Sequence, residues 1–562
     1  MSRVRPRLSS PVAPRLSFTG LVALSALGLS LFGLSCSSAE KTAETPEEQK
    51  TETASDKTAA GSSETTETAN PSATTGESAT PAEAAPVDNR PRIGALGPHT
   101  WVWPKMAERK GQLAMGKLRP GTSVVLKDTQ GVRGPGCKGQ WYAVEPRGYV
   151  CDDDTATLDL EDPYFKALAY SAPSPGVWPY RYAHSNGAPM YSRVPTQEEW
   201  EKAERGMGPV NSWKPLGEWA RGHEENIVDD PIKATDERPY FIDEDGKRTA
   251  PGGNYDPRVL VWRKIPAGSM LSYSRAFEMH GRVWLLTPDT MIVPADRVSD
   301  MKRTTFEGIH FDKSDLSLPL AWNRSKQPIA KYKLGDDGKF VKTEGTLAPK
   351  SPIEINDDPV KKDGWIYYPL RREPGVYVGR DESPKKALDI ELTIVRAATK
   401  LPTGVTSDEK WIEAKIVPGT LTAYVGLTPV MTTLFSPGKG GPPVPGMKFP
   451  VDHSKKATTA IGLFPLEWKE RVATMSNEKG EPKVLWFTDV PHQQYLKAPL
   501  AMHVTYWHQD FGKRKSAECL NVSPLDGLWL FGWTLPVLPD DWNAVGAGQG
   551  NGESTPVQVT IF

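Results

Sequence analysis

The chain is 562 residues long and carries a formal net charge of −1, so nothing in its charge balance points to nucleic acid as a partner. Its length allows several domains of about 100–200 residues each, and 38% hydrophobic residues with 18 Trp supply real cores. The 52 Pro and 49 Gly favour short strands joined by turns, so a mainly β chain is expected.

Residues 1–15 include Arg3, Arg5, Arg7 and Arg15 and no acidic residue, and 16–35 are almost wholly apolar and small. A basic start, an apolar run and small residues ahead of Cys36 describe an export signal over 1–36. The run into Cys36 resembles the lipobox of bacterial lipoproteins, in which the cysteine is lipidated, although Gly33 stands where that pattern has Leu. A plain signal peptide or an uncleaved anchor is the other reading, since the run is about long enough to span a bilayer. Either way the chain is expected to be exported to the bacterial cell envelope, periplasmic and, as a lipoprotein, membrane-attached. Residues 37–90 contain no Phe, Trp or Tyr and are rich in Ser, Thr, Ala and Glu. They cannot bury enough apolar surface to offset their ordering entropy, and read as an acidic disordered linker.

Short alternating runs between turn residues mark 91–154, with Trp101, Val124, Trp141 and Tyr149 in four of them. Size and cadence resemble a small SH3-like barrel. Cys137 and Cys151 flank the strand around Trp141; an exported chain favours a disulfide between them, and two buried thiols are the alternative. Residues 155–251 read as an irregular connecting region with one helical stretch near 196–205. Asp152 to Asp154 lack the spacing of a calcium loop and read as a solvated turn. His184 and His223 have no metal-like neighbours, so they read as surface or core histidines. Residues 252–300 and 312–382 repeat the barrel cadence without a strict repeat and read as second and third SH3-like units. No metal or cofactor is expected.

From 408 onward a hairpin is predicted over 410–416 and 420–425, with further strands at 429–436, 447–451, 483–488, 500–505 and 557–562. The stretch 501–530 concentrates the chemistry. It holds Cys519, one of four cysteines, with His503 and His508 before it and Asn521 after it. Ser523, Pro524 and Asp526 then give the cap, first position and first-turn acid of a helix. A cysteine ahead of a helix with histidine upstream suits a thiol nucleophile and its base. A small buried hydrophobe is the bland reading of Cys519, and packing on an aromatic that of His508.

The hairpin around Trp411 and Tyr424, the Val444-Pro445-Gly446 segment and the His503-to-Cys519 phrase together resemble the catalytic domain of L,D-transpeptidases, over 408–562. The resemblance implies small SH3-like barrels followed by a β-rich L,D-transpeptidase-like catalytic domain. It also implies a wall enzyme acting on peptidoglycan stem peptides through a cysteine acyl-enzyme. Cys519 would be nucleophile and His503 its base, with Ser516 and Asn521 supporting the loop and His508 a candidate for a missing histidine. The family motif is Ser/Thr-His-Gly-Cys, whereas this chain has Ser516-Ala517-Glu518-Cys519. Ala517 removes an imidazole, and Glu518 places a carboxylate and a Cβ where glycine is usual. A second reading therefore stands: a catalytically degenerate homologue acting as a wall-binding or scaffolding lipoprotein. A papain-like order does not fit, because no histidine follows Cys519.

Overall fold

The computed structural model describes residues 88–212, 223–250, 256, 258–383, 390–476 and 485–562. The export signal, Cys36 and the linker through residue 87 lie outside the described residues. Within them the chain is mainly β, with helices α1 (Pro163–Tyr170), α2 (Gln197–Ala203), α3 (Val451–Lys456) and α4 (Pro524–Trp533). None of the helices among the described residues is long and apolar enough to cross a membrane. The helical stretch expected near 196–205 is α2. It opens with a capping box, in which Glu199 N–H donates to Thr196 Oγ1 and Thr196 N–H donates to the Glu199 carboxylate.

The first unit contains one sheet of Ser123–Val125, Arg92–Ala95 and Ala156–Thr157, and a hairpin pairing Trp141–Ala143 with Tyr149–Cys151. Cys137 and Cys151 are disulfide-bonded. The reading of 155–251 as irregular needs correcting. It holds the strands Arg181–Ser185 and Pro189–Tyr191, and Pro189–Tyr191 lies inside a five-stranded sheet whose other members come from 261–294. Asn186 and Gly187 break this segment into short pieces, and its partners are distant in sequence, so no local periodicity announces it. The third unit extends past residue 382, because Leu392–Val395 pairs with Leu320–Asn323.

The units are not separate beads. One ten-stranded sheet runs from Val298–Asp300 through Arg181–Ser185 and Met270–Tyr273 to Trp486–Lys497 and Trp468–Ser476, then back to Gly116–Lys117 and Trp101–Val102 by way of Ala544–Gly546. Strand edges of the upstream units are thereby paired rather than left open. The expected strand at 447–451 is absent; 447–450 is irregular, and Pro450 has no N–H to contribute to a ladder.

Two strands at the side of this sheet carry the stretch 501–530. Leu500–Val504 pairs antiparallel with Trp486–Lys497 and parallel with Leu520–Val522. On one face Leu500, Met502, Leu520 and Val522 pack with Ile412, Leu421 and Leu530. On the other, Ala501 and Cys519 join Trp468, Tyr495 and Phe487. That division follows from the two-residue alternation of a strand.

Both ends of α4 are anchored. Ser523 caps it by accepting the Asp526 N–H at 3.1 Å, with Pro524 at the first helical position. The fully buried Asp526 carboxylate accepts from Thr433 Oγ1 at 2.6 Å, Gly308 N–H at 2.8 Å and Ser523 Oγ at 2.8 Å. At the far end the buried Lys469 ammonium donates to the carbonyls of Phe531 and Thr534, at 2.6 and 2.7 Å. Gly527 sets how closely the helix sits, since a Cβ there would meet Val504 Cγ2 at 2.2 Å. Asp526→Ala strips the acceptor from three buried donors and is expected to cost about 3 kcal/mol or more. A urea melt reads this, with Asp526→Asn losing less; an unshifted midpoint for Asp526→Ala would contradict it.

Candidate active site

In the parallel pair, Met502 faces Leu520, His503 faces Asn521 and Val504 faces Val522. Cys519 lies two residues before Asn521, so alternation puts Cys519, His503 and Asn521 on one face. All three line one cavity of ≈60 Å³. The loop carrying Cys519 is stitched to the segment after Thr428–Leu434. Ser436 and Asn521 exchange backbone hydrogen bonds of 2.8 and 3.0 Å, and Lys515 and Ser516 N–H donate to Pro437 O at 2.9 and 3.1 Å. Ser516 Oγ then donates to the Cys519 carbonyl at 2.5 Å, closing the turn from within.

His503 is 3% exposed. Its Nδ1–H donates to Val504 O at 2.9 Å, which fixes the neutral tautomer and leaves the lone pair on Nε2. Burial pushes its pKa down to about 4, with the Val504 carbonyl opposing the shift. At neutral pH it is therefore an uncharged base. Trp507 lies alongside, with ring centroids 6.0 Å apart. Cys519 is also 3% exposed, and its Sγ lies 3.7 Å from Pro499 O. Among the described residues it is the one cysteine outside the disulfide.

The remaining predicted residues separate into those that face the thiol and those that do not. Ala517 lines the cavity and presents a methyl group. Glu518 is buried and does not line it; its Oε2 accepts from Ser454 Oγ at 3.2 Å, towards α3. Glu518 is also absent from the residues with positive φ, so the glycine usual there is not demanded by the backbone of this chain. His508 is held behind the cavity, not in its lining. Its Nδ1 accepts the Asp510 N–H at 3.2 Å, the Asn521 carboxamide lies 3.2 Å from Nε2, and Phe511 packs at 5.6 Å. Asn521 thus supports the thiol loop through its backbone and braces His508 through its side chain.

Two lining residues escaped the sequence reading. His223, read as a surface or core histidine, is buried and lines the thiol cavity, its ring 6.3 Å from that of His508. Burial holds its pKa well below the usual histidine range. No sequence signal links it to Cys519, because they belong to distant segments. Lys515 also lines the cavity, 3.6 Å from Asp510. It sits four residues before Cys519 in Lys513-Arg514-Lys515, a basic run that was a visible clue.

The cavity is narrow and the thiol at its base is buried. Tyr180, Tyr182, Met270 and Met301 of the upstream units share the apolar cluster of Cys519. Its space of ≈60 Å³ is well below the several hundred Å³ of a typical small-molecule site.

Solved structures similar to this chain include L,D-transpeptidases. The catalytic domain from E. faecium is 18% identical, with 27% of this chain and 98% of that chain covered and a TM-score of 0.20. The same domain acylated by ertapenem is 17% identical, covering 28% and 100%, with a TM-score of 0.19. An L,D-transpeptidase from Mycobacterium smegmatis is 16% identical, covering 37% and 100%, with a TM-score of 0.20. No family model and no curated protein matches the chain.

Proposed function

We propose that the C-terminal domain is a peptidoglycan L,D-transpeptidase with Cys519 as nucleophile and His503 as base. The observation that carries this reading is the shared face and cavity of Cys519 and His503, with His503 Nδ1 pinned and Nε2 left to accept a proton. In the first step Sγ attacks a stem-peptide carbonyl carbon as its proton passes to His503 Nε2. The C–N bond then breaks, and the departing D-amino acid takes that proton on its amine nitrogen. The thioester left on Cys519 is released when an acceptor amine attacks and gives up a proton through His503, or when water does so. Backbone N–H groups of residues 517–519 are the natural donors to the oxyanion. The same reading places the chain in the bacterial envelope, tethered through Cys36, with the upstream units as SH3-like modules.

A second reading has its own support: a degenerate homologue that binds or scaffolds the wall. The narrow cavity, the buried thiol and Ala517 in place of the motif's histidine favour it. Incubation with purified disaccharide-tetrapeptide, followed by mass spectrometry, separates the two. Loss of the terminal D-amino acid or appearance of a cross-linked dimer is expected for the enzyme, and Cys519→Ala should abolish both. Unchanged tetrapeptide together with retention on insoluble wall material would favour the scaffold.

A further inference from the structure

Among the described residues lining the thiol cavity, Lys515 is the one cation, and no carboxylate lines it. His223 and His503 share that lining, and burial holds both well below the usual histidine range, so they are neutral at pH 7. Glu518 is turned towards Ser454. The charge that the cavity offers to a guest is therefore positive.

The turn that places the thiol also places this ammonium. Lys515 and Ser516 N–H both donate to Pro437 O, and Ser516 Oγ donates to the Cys519 carbonyl. Lys515 and Cys519 thus belong to one short, internally bonded segment and line one cavity. The Asp510 carboxylate is 3.6 Å from the Lys515 ammonium, longer than a direct hydrogen bond, and has a nearer partner in Lys326 at 2.9 Å. Burial works against the Lys515 charge, and the Asp510 and Glu224 carboxylates offset this only in part. A half-desolvated ammonium that shares its partner gains from a carboxylate able to hydrogen-bond it directly. The reaction proposed for Cys519 brings such a group. Only the terminal D-amino acid follows the peptide bond under attack, so an α-carboxylate lies one residue beyond the reacting carbonyl.

We propose that Lys515 holds the terminal carboxylate of the acyl donor and so restricts attack to the last peptide bond of a free chain end. This rests on the reading of Cys519 as nucleophile and adds to it the residue that selects the bond. A bond inside a longer peptide, or a terminus blocked as the amide, brings no negative charge to Lys515 and leaves its ammonium desolvated without a new partner.

Two paired comparisons on the full chain test the proposal. In the first, Cys519 is alkylated with iodoacetate and with iodoacetamide, and the ratio of the two rates is followed by intact mass. The ratio cancels the thiolate fraction and needs no turnover. Relative to free cysteine, the parent should favour iodoacetate about tenfold or more. Lys515→Met should lose that preference, and Lys515→Arg, which keeps the charge, should retain most of it. In the second, disaccharide-tetrapeptide is compared with the same compound amidated at its terminal carboxyl. Amidation should lower kcat/KM of the parent about tenfold or more, and Lys515→Met should process acid and amide alike. A parent without preference for iodoacetate, a folded Lys515→Met protein that keeps the preference, or a Cys519 that neither reagent alkylates would each overturn the proposal. Its failure is distinct from that of the transpeptidase reading. Iodoacetate preference with inert tetrapeptide would keep Lys515 as a carboxylate site and remove the enzyme, whereas turnover without the preference would remove Lys515 alone.

Discussion

His503→Ala is expected to slow acylation of Cys519 by a β-lactam about 10²–10⁴-fold, the range that a positioned general base supplies. The expectation follows from where protons sit. With Nδ1–H committed to Val504 O at 2.9 Å, Nε2 is the nitrogen able to take the thiol proton. Its pKa of about 4 keeps it unprotonated throughout the neutral range. Without the imidazole the thiol faces the Pro499 carbonyl, which accepts a hydrogen bond but not a proton. The variant should then react only as preformed thiolate, and its rate should climb steeply with pH where the parent is nearly flat. Adduct growth followed by mass at several pH values provides the check. Equal rates and equal pH profiles in parent and variant would remove His503 from the mechanism. His508→Ala serves as contrast: its ring lies behind the cavity, so the effect should be smaller and should come with lower stability.

The second large effect is on acid stability. Burial pushes His503 down to about 4 and His492 and His508 to about 3, and His223 is depressed as well. Each folded-state pKa lies below its unfolded value of about 6.5. Above that unfolded value both states are neutral and the folded form loses nothing. As pH falls from about 6.5 towards the folded values, only the unfolded chain binds protons, so stability drops by about 1.4 kcal/mol per pH unit for each such histidine. By pH 4.5 this is about 2–3 kcal/mol apiece, and three or four together approach the whole stability of an ordinary domain. Urea midpoints measured from pH 7.5 to 4.5 should therefore fall steeply below about pH 6.5. His492→Phe should flatten part of that slope. A midpoint that holds constant down to pH 4.5 would contradict the buried neutral state of these rings.

How much of this was legible beforehand depends on the range over which each feature is encoded. The cap, proline and acid of α4 are local, and Ser523, Pro524 and Asp526 stand where the sequence put them. The hairpin Lys410–Lys415 with Thr420–Val425 is equally local, as each strand has its own alternation and a short turn. The shared sheet is not local. Met270 pairs in parallel with Phe487, and Gly116 with Val545 towards the other end of the same sheet; no window of sequence contains both partners of such a join. The same limit hid His223 and the cover over Cys519, which depend on segments far apart in the chain packing face to face. Glu518 was legible as a departure from the motif but not in its consequence. Its carboxylate turns towards Ser454 on α3, a helix that the sequence had suggested would begin as a strand.

The narrow cavity and the buried thiol make the reactivity of Cys519 the decisive property. Treating the full chain with ertapenem, then measuring intact mass and mapping the modified peptide, addresses it directly. A single covalent adduct on Cys519 that is absent in Cys519→Ala is expected. An unmodified Cys519, under conditions where the E. faecium domain is acylated, would contradict the enzyme and leave the wall-binding scaffold in its place.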